Sequence, residues 1–130
     1  MKLCMYGAGS IGRGFIGPLF AAAGWEVVFI DVDTRLVEAF NTRRGYELTI
    51  AEQPLRTQPV EGVRAVNGRD TAAVVDEIAG CNLLATALGA AVLPRVAPAI
   101  AAALVARKKE NGGSLNILIC ENLKDAAHLF

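Results

Sequence analysis

The stretch Leu3-Cys4-Met5-Tyr6-Gly7-Ala8-Gly9-Ser10-Ile11-Gly12 decides the fold. An apolar run of strand length leads straight into G-x-G-x-x-G. Apolar residues then recur at helical spacing at Phe15, Ile16, Leu19, Phe20 and Ala23, with Gly24 as a stop. A second apolar run, Val27-Val28-Phe29-Ile30, ends on the carboxylate Asp31, about 20 positions after the last glycine. Strand, glycines, helix, strand and acid in this order are the parts of a dinucleotide-binding βαβ unit.

Each part has its own physical task. Gly7 permits the tight turn out of the first strand, Gly9 leaves room for a pyrophosphate against the backbone, and Gly12 lets the helix lie close to the sheet. The N–H groups at the helix start, at Ala8, Ser10 and Ile11 and their neighbours, favour an anion without a basic side chain. Asp31 is placed to accept hydrogen bonds from the ribose hydroxyls and to repel a 2′-phosphate, so NAD is expected rather than NADP; Arg35, one turn on, softens that preference. The alternative for Asp31 is a turn or capping role with Asp33 and Thr34. Arg13 reads either as a neighbour of the pyrophosphate or as a solvated surface arginine.

Proline 18 falls inside the phosphate-binding helix and is expected to kink it or to shift its hydrogen bonding. A second helix carries Leu36, Val37 and Phe40 and ends by Gly45. Alternation at Tyr46, Leu48 and Ile50, then Val60 to Val66 beyond Pro54 and Pro59, predicts a small antiparallel excursion over residues 46–66. Asp70 can cap a helix bearing Val74, Val75 and Ile78. Asn82 to Leu88, closed by Gly89, reads as a buried parallel strand, followed by a helix with Val92, Val96, Ile100 and Leu104 toward the core. Arg107, Lys108 and Lys109 complement that helix's C-terminal dipole. Leu115 to Cys120 is the next strand. The fold class is therefore α/β, a Rossmann-type doubly wound parallel sheet with an antiparallel excursion. Thr86, Ala87 and Gly89 after one strand, and Glu121 and Asn122 after the next, lie on the edge where such sheets bind ligands; Thr86 to Gly89 read equally as an ordinary strand-to-helix connection. Glu121 also reads as a polar cap for the following segment.

Composition bounds the partners. The 130 residues suit one domain, 53% are hydrophobic, and 13 basic residues balance 13 acidic ones, which gives no basic excess for a nucleic-acid surface. No apolar stretch reaches membrane-spanning length and no cleavable leader is apparent, so a cytoplasmic location is expected. Cys4, Cys81 and Cys120 are widely separated along the chain and read as reduced core thiols, with no metal-ligand spacing. His128, the single histidine, is given no catalytic role. The last residues, up to Phe130, read as the opening turns of a helix.

The run Gly7 to Gly17 with its extended G-R-G-F-I-G, the segment Val28 to Asp33, Leu84-Ala85-Thr86-Ala87-Leu88-Gly89, Ile100 to Lys108, and Asn116-Ile117-Leu118-Ile119-Cys120-Glu121-Asn122-Leu123 together resemble the mannitol-1-phosphate dehydrogenases of the polyol-specific long-chain dehydrogenase family. The resemblance covers essentially the whole chain, with Ser10 where the family often has asparagine. It implies an NAD-binding domain, residues 1–130, of an enzyme that interconverts mannitol 1-phosphate and fructose 6-phosphate. It also implies that the catalytic lysine, with asparagine and histidine partners, belongs to a helical C-terminal domain that holds the sugar phosphate. No catalytic residue is then expected within these 130 residues, and NAD(H) is the one direct ligand. A related mannitol or hexuronate dehydrogenase, or a free-standing NAD-sensing module, are the alternatives.

Overall fold

A computed structural model describes residues 1–110 and 112–129. Five strands, β1 (Lys2–Tyr6), β2 (Glu26–Asp31), β5 (Val63–Asn67), β6 (Leu83–Thr86) and β7 (Asn116–Ile119), form one sheet in the order β5-β2-β1-β6-β7. All its pairings are parallel. Side chains alternate across the strands, so Leu3, Met5, Val27 and Phe29 enter one core layer, while Cys4, Tyr6, Val28 and Ile30 enter the other. The first layer is covered by α1 (Gly17–Ala22) and α2 (Thr34–Arg43) through residues such as Phe20 and Phe40. The second is covered by α3 (Thr71–Ala79) and α4 (Leu93–Lys109) through Val74, Ile78, Val96 and Ile100. Helices on both faces of a parallel sheet are the expected doubly wound arrangement, and strand order reverses between β1 and β6.

The capping residues behave as their chemistry predicts. Asp33 accepts from the Arg35 N–H at the start of α2, and Asp70 accepts from the Ala73 N–H at the start of α3. The open edge at β5 is covered by Asn41 of α2, whose side-chain amide donates to the Ala65 carbonyl and accepts from the Ala65 N–H. At the far end of α4, the Arg107 guanidinium donates to the carbonyls of Ala79, Cys81 and Gly113, which ties together two helix ends rather than only balancing a dipole.

Three expectations are corrected. The antiparallel excursion is smaller than residues 46–66: β3 (Gly45–Ile50) pairs with β4 (Arg56–Glu61) as a separate two-stranded sheet. Gly62, at φ +72°, then turns the chain so that Val63–Asn67 becomes a parallel strand of the main sheet. On α4 the core stripe is Leu93, Val96, Ile100 and Ala103, with Leu104 at 38% exposure. A step of four residues overshoots each turn by about 40°, so the regular spacing from Val92 to Leu104 drifts off the buried face. On the first helix Ile16 is buried and Phe20 packs against the core, while Phe15 and Leu19 are more than half exposed.

The expected disturbance at Pro18 is present. Residues 12–16 form a π turn, in which the Gly17 N–H donates to the Gly12 carbonyl five residues back. Pro18 then sits in the first turn of α1, where its missing N–H is tolerated. Cys4 and Cys81, far apart in sequence, meet beneath the sheet: the Cys81 thiol, together with burial, pushes the Cys4 thiol above its usual range. Ala126–Leu129 form a single 3-10 turn; the expected helix at Phe130 lies outside the described residues.

Candidate dinucleotide site

The carboxyl ends of β1, β2, β5 and β6 open into one cleft of about 600 Å³. Gly7 and Gly9 form one wall, Asp31 and Val32 follow from β2, Gly68 and Thr71 from β5, and Ala87 and Leu88 from β6. The first turns of α4 close it with Val92, Arg95 and Val96. A hollow of about 830 Å³ at the base of the β3–β4 hairpin is larger, but it lies on residues 43–47 and 59–62, away from these strand ends.

The glycine loop has the shape its spacing predicts. Gly7 has φ +100°, and a Cβ there would collide with the Ala87 carbonyl. A Cβ on Gly12 would collide with the Gly7 carbonyl, so that glycine lets the helix seat against the turn. Gly9 is different: nothing lies within 4 Å of where its Cβ would be, and the backbone faces open cleft. The Arg13 N–H donates to the Gly9 carbonyl at 2.9 Å, which begins the helical ladder. The N–H groups of Ser10, Ile11 and Gly12 precede that bond and sit at the positive end of the helix. Ser10 and Ile11 are exposed there. This is a cradle for an anion with space left by Gly9, and the residues present fit a dinucleotide pyrophosphate.

Asp31 stands at the end of β2 against this loop. Its Oδ2 accepts from the Ala8 N–H at 2.8 Å and its Oδ1 from the Asp33 N–H at 3.0 Å. The carboxylate thus holds the glycine turn and also borders the cleft. Gly68 donates its N–H to the Asp31 carbonyl at 2.8 Å and brings the exit of β5 to the same corner. Arg35 extends into solvent, 91% exposed, with only a 3.5 Å approach to Asp33.

The far side of the cleft is ordered by a second carboxylate. Glu121, after β7, accepts from the N–H groups of Leu88 and Gly89, both at 2.9 Å, and so grips the turn that follows β6. Its cap acts on that turn rather than on the segment after it. Asn122 is exposed next to it. Ala87 lines the cleft, Gly89 carries φ +87° in the gripped turn, and Thr86 is fully buried, its hydroxyl without a hydrogen-bond partner among the described residues. The Arg13 side chain is exposed, and its backbone carbonyl accepts from the Tyr46 hydroxyl at 2.6 Å. Cys120 donates its N–H to the Thr86 carbonyl, and burial raises its thiol above the usual range.

Val32, Gly68, Thr71, Val92 and Arg95 line the cleft without having been singled out by the motif. Val32, Gly68 and Thr71 follow closely on strands, while Val92 and Arg95 lie at the start of α4; reading residues 63–66 as part of the excursion concealed Gly68 and Thr71. Among the described residues no helix is long and apolar enough to cross a membrane, and no three His, Cys, Asp or Glu side chains group as a metal site.

A relative, the mannitol-1-phosphate 5-dehydrogenase of Brevibacillus brevis, is 46% identical over 118 residues, which cover 91% of this chain and 31% of that protein. The chain therefore spans about a third of the length of the curated relative it matches. A solved structure, a putative exported protein from Burkholderia pseudomallei, aligns with 98% of this chain and 59% of its own at 18% identity and a TM-score of 0.49. The family model described as the mannitol dehydrogenase Rossmann domain matches residues 1–130. From that match across its whole length, the chain belongs to the mannitol dehydrogenase family, as its nucleotide-binding Rossmann domain.

Proposed function

We propose that this domain binds NAD(H) for a mannitol-1-phosphate 5-dehydrogenase, which interconverts mannitol 1-phosphate and fructose 6-phosphate. The observation that carries the reading is the Asp31 carboxylate, fixed against Ala8 beside the open face of Gly9 in one cleft at the strand-order reversal. A carboxylate there accepts ribose hydroxyls and disfavours a 2′-phosphate. The bound nicotinamide supplies the hydride acceptor and donor. The chain's own contribution is to hold the pyrophosphate on the N–H groups of Ser10, Ile11 and Gly12, the ribose on Asp31, and the remainder of the cofactor along the turn at Ala87–Gly89. Glu121 keeps that turn in place, and Asn122, exposed beside it, is assigned the orienting of a carboxamide or a substrate hydroxyl.

The proton-transfer and sugar-phosphate-binding groups are assigned to a further, helical domain, in keeping with the 31% of the curated relative's length that this chain covers. Titration of the 130-residue chain with NADH, run beside an assay for fructose 6-phosphate reduction, tests both halves of the proposal. Binding without turnover is expected. No NADH binding would overturn the cofactor assignment, and chain-dependent turnover would overturn the placement of the chemistry.

A further inference from the structure

The π turn leaves one backbone carbonyl without its helical donor. In an α-helix the Gly17 N–H would serve Arg13, four residues back; here it serves Gly12 instead. In the π pattern the donor to Arg13 would be residue 18, which is proline and has no N–H. Both regular donors of the Arg13 carbonyl are therefore lost, one by the shift and one by the ring. That same carbonyl accepts the 2.6 Å hydrogen bond from the Tyr46 hydroxyl.

Tyr46 reaches it from outside the phosphate-binding unit. It lies on β3, in the hairpin that is not part of the parallel sheet. Its ring packs edge-on against Phe29 at 6.3 Å and Phe40 at 5.5 Å, and those two rings stack on each other at 4.8 Å. The aromatic cluster anchors the hairpin to β2 and α2, which fixes where the hydroxyl points. Burial pushes the Tyr46 phenol up to about 12, so it remains a proton donor throughout the neutral range.

We infer that Tyr46 is a positioning residue for the cofactor: its hydroxyl replaces the hydrogen bond that Pro18 removes, and thereby holds the turn that presents the Ser10–Gly12 N–H groups to the pyrophosphate. The inference rests on the NAD(H) reading above. It also gives the antiparallel hairpin a function, as the support that lets this helix carry a proline and a π turn directly behind its anion cradle. The cofactor touches neither Tyr46 nor Pro18 in this account.

A double-mutant cycle tests it. Tyr46→Phe keeps the ring and removes only the hydroxyl; NADH affinity, measured by fluorescence titration well below the melting temperature, should fall about five- to tenfold. Pro18→Ala restores an N–H at position 18, which can serve the helix in either register. In that background Tyr46→Phe should cost less than about twofold. Ile78→Val, in the opposite core layer, supplies a variant of reduced stability whose NADH affinity should be unchanged. Amide hydrogen exchange, which needs no ligand, should quicken over residues 13–17 in Tyr46→Phe and recover with Pro18→Ala. Equal affinity losses in both backgrounds, or NADH affinity unaffected by Tyr46→Phe, would overturn the inference. Wild type that fails to bind NADH would overturn the cofactor reading as well, while the exchange pattern would still decide whether Tyr46 substitutes for the missing N–H.

Discussion

Truncating Asp31 to alanine separates its two tasks. In the free protein the carboxylate accepts from Ala8 at 2.8 Å and from Asp33 at 3.0 Å, so removal loses two charge-assisted backbone bonds. Such bonds contribute roughly 1.5–3 kcal/mol each. The Asp33 bond lies at the surface, where solvent replaces much of it, so a total loss of about 2–3 kcal/mol in folding stability is expected. Cofactor binding loses the ribose acceptor as well, which should weaken NAD by about one to two powers of ten. NADP responds differently, because the same substitution removes the charge that repels its 2′-phosphate and leaves the 91% exposed Arg35 free to approach it. The ratio of NAD to NADP affinity should therefore fall. Calorimetric titration of wild type and Asp31→Ala with both cofactors reads this directly. If both affinities drop in parallel and the ratio is unchanged, Asp31 only holds the Ala8 turn, and the ribose is read by another group.

Gly9→Val should leave the fold intact, since a Cβ at this position meets nothing within 4 Å, yet lower NAD affinity by at least a power of ten; undiminished affinity in the folded variant would place the phosphates elsewhere. Glu121→Ala frees the N–H groups of Leu88 and Gly89 and should cost about 2–3 kcal/mol in chemical denaturation, whereas Asn122→Ala should leave stability unchanged and weaken NADH binding a fewfold. Equal denaturation midpoints for wild type and Glu121→Ala would contradict the grip on the turn. A pH-dependent effect is expected at Glu77 of α3, whose carboxylate pairs with both arms of the Arg64 guanidinium and, at 2.9 Å, with Lys2. The Arg64 hydrogen bond, aided by Lys2, lowers its pKa from 4.5 to about 2. Because the folded value lies below the unfolded one, the stabilisation is complete above about pH 4.5 and is lost as pH falls toward 2. Solvent screening reduces the contribution to about 1–2 kcal/mol, so Glu77→Gln should be less stable than wild type by that amount at pH 7, with the gap closing near pH 2; a gap independent of pH would refute the pairing.

What could be read along the chain was what the chain determines locally. The first strand, the glycine turn, the second strand and Asp31 lie within 31 residues, and each is set by neighbours in sequence, so the unit was legible without a structure. The β4–β5 junction was not, because β-period apolar residues run from Val60 to Val66 on both sides of Gly62, and only the choice of partner, β3 or β2, divides them. Asp31 and Glu121 were legible as residues of the ligand edge but not as grips on Ala8 and on Leu88–Gly89, since those bonds cross 23 and more than 30 positions. Pro18 shows the same limit at its sharpest. Its conflict with the helix was visible in one residue, while the resolution is a hydroxyl on another sheet, 33 positions from the carbonyl it serves. A proline behind an anion cradle is a local rule broken, and local rules are kept broken only where something distant compensates. Here the compensating group is identifiable, so the hairpin and the phosphate turn should tolerate change only together: sequences that keep a proline at position 18 should need a donor at position 46, and the paired substitutions Pro18→Ala and Tyr46→Phe should be milder in combination than Tyr46→Phe alone.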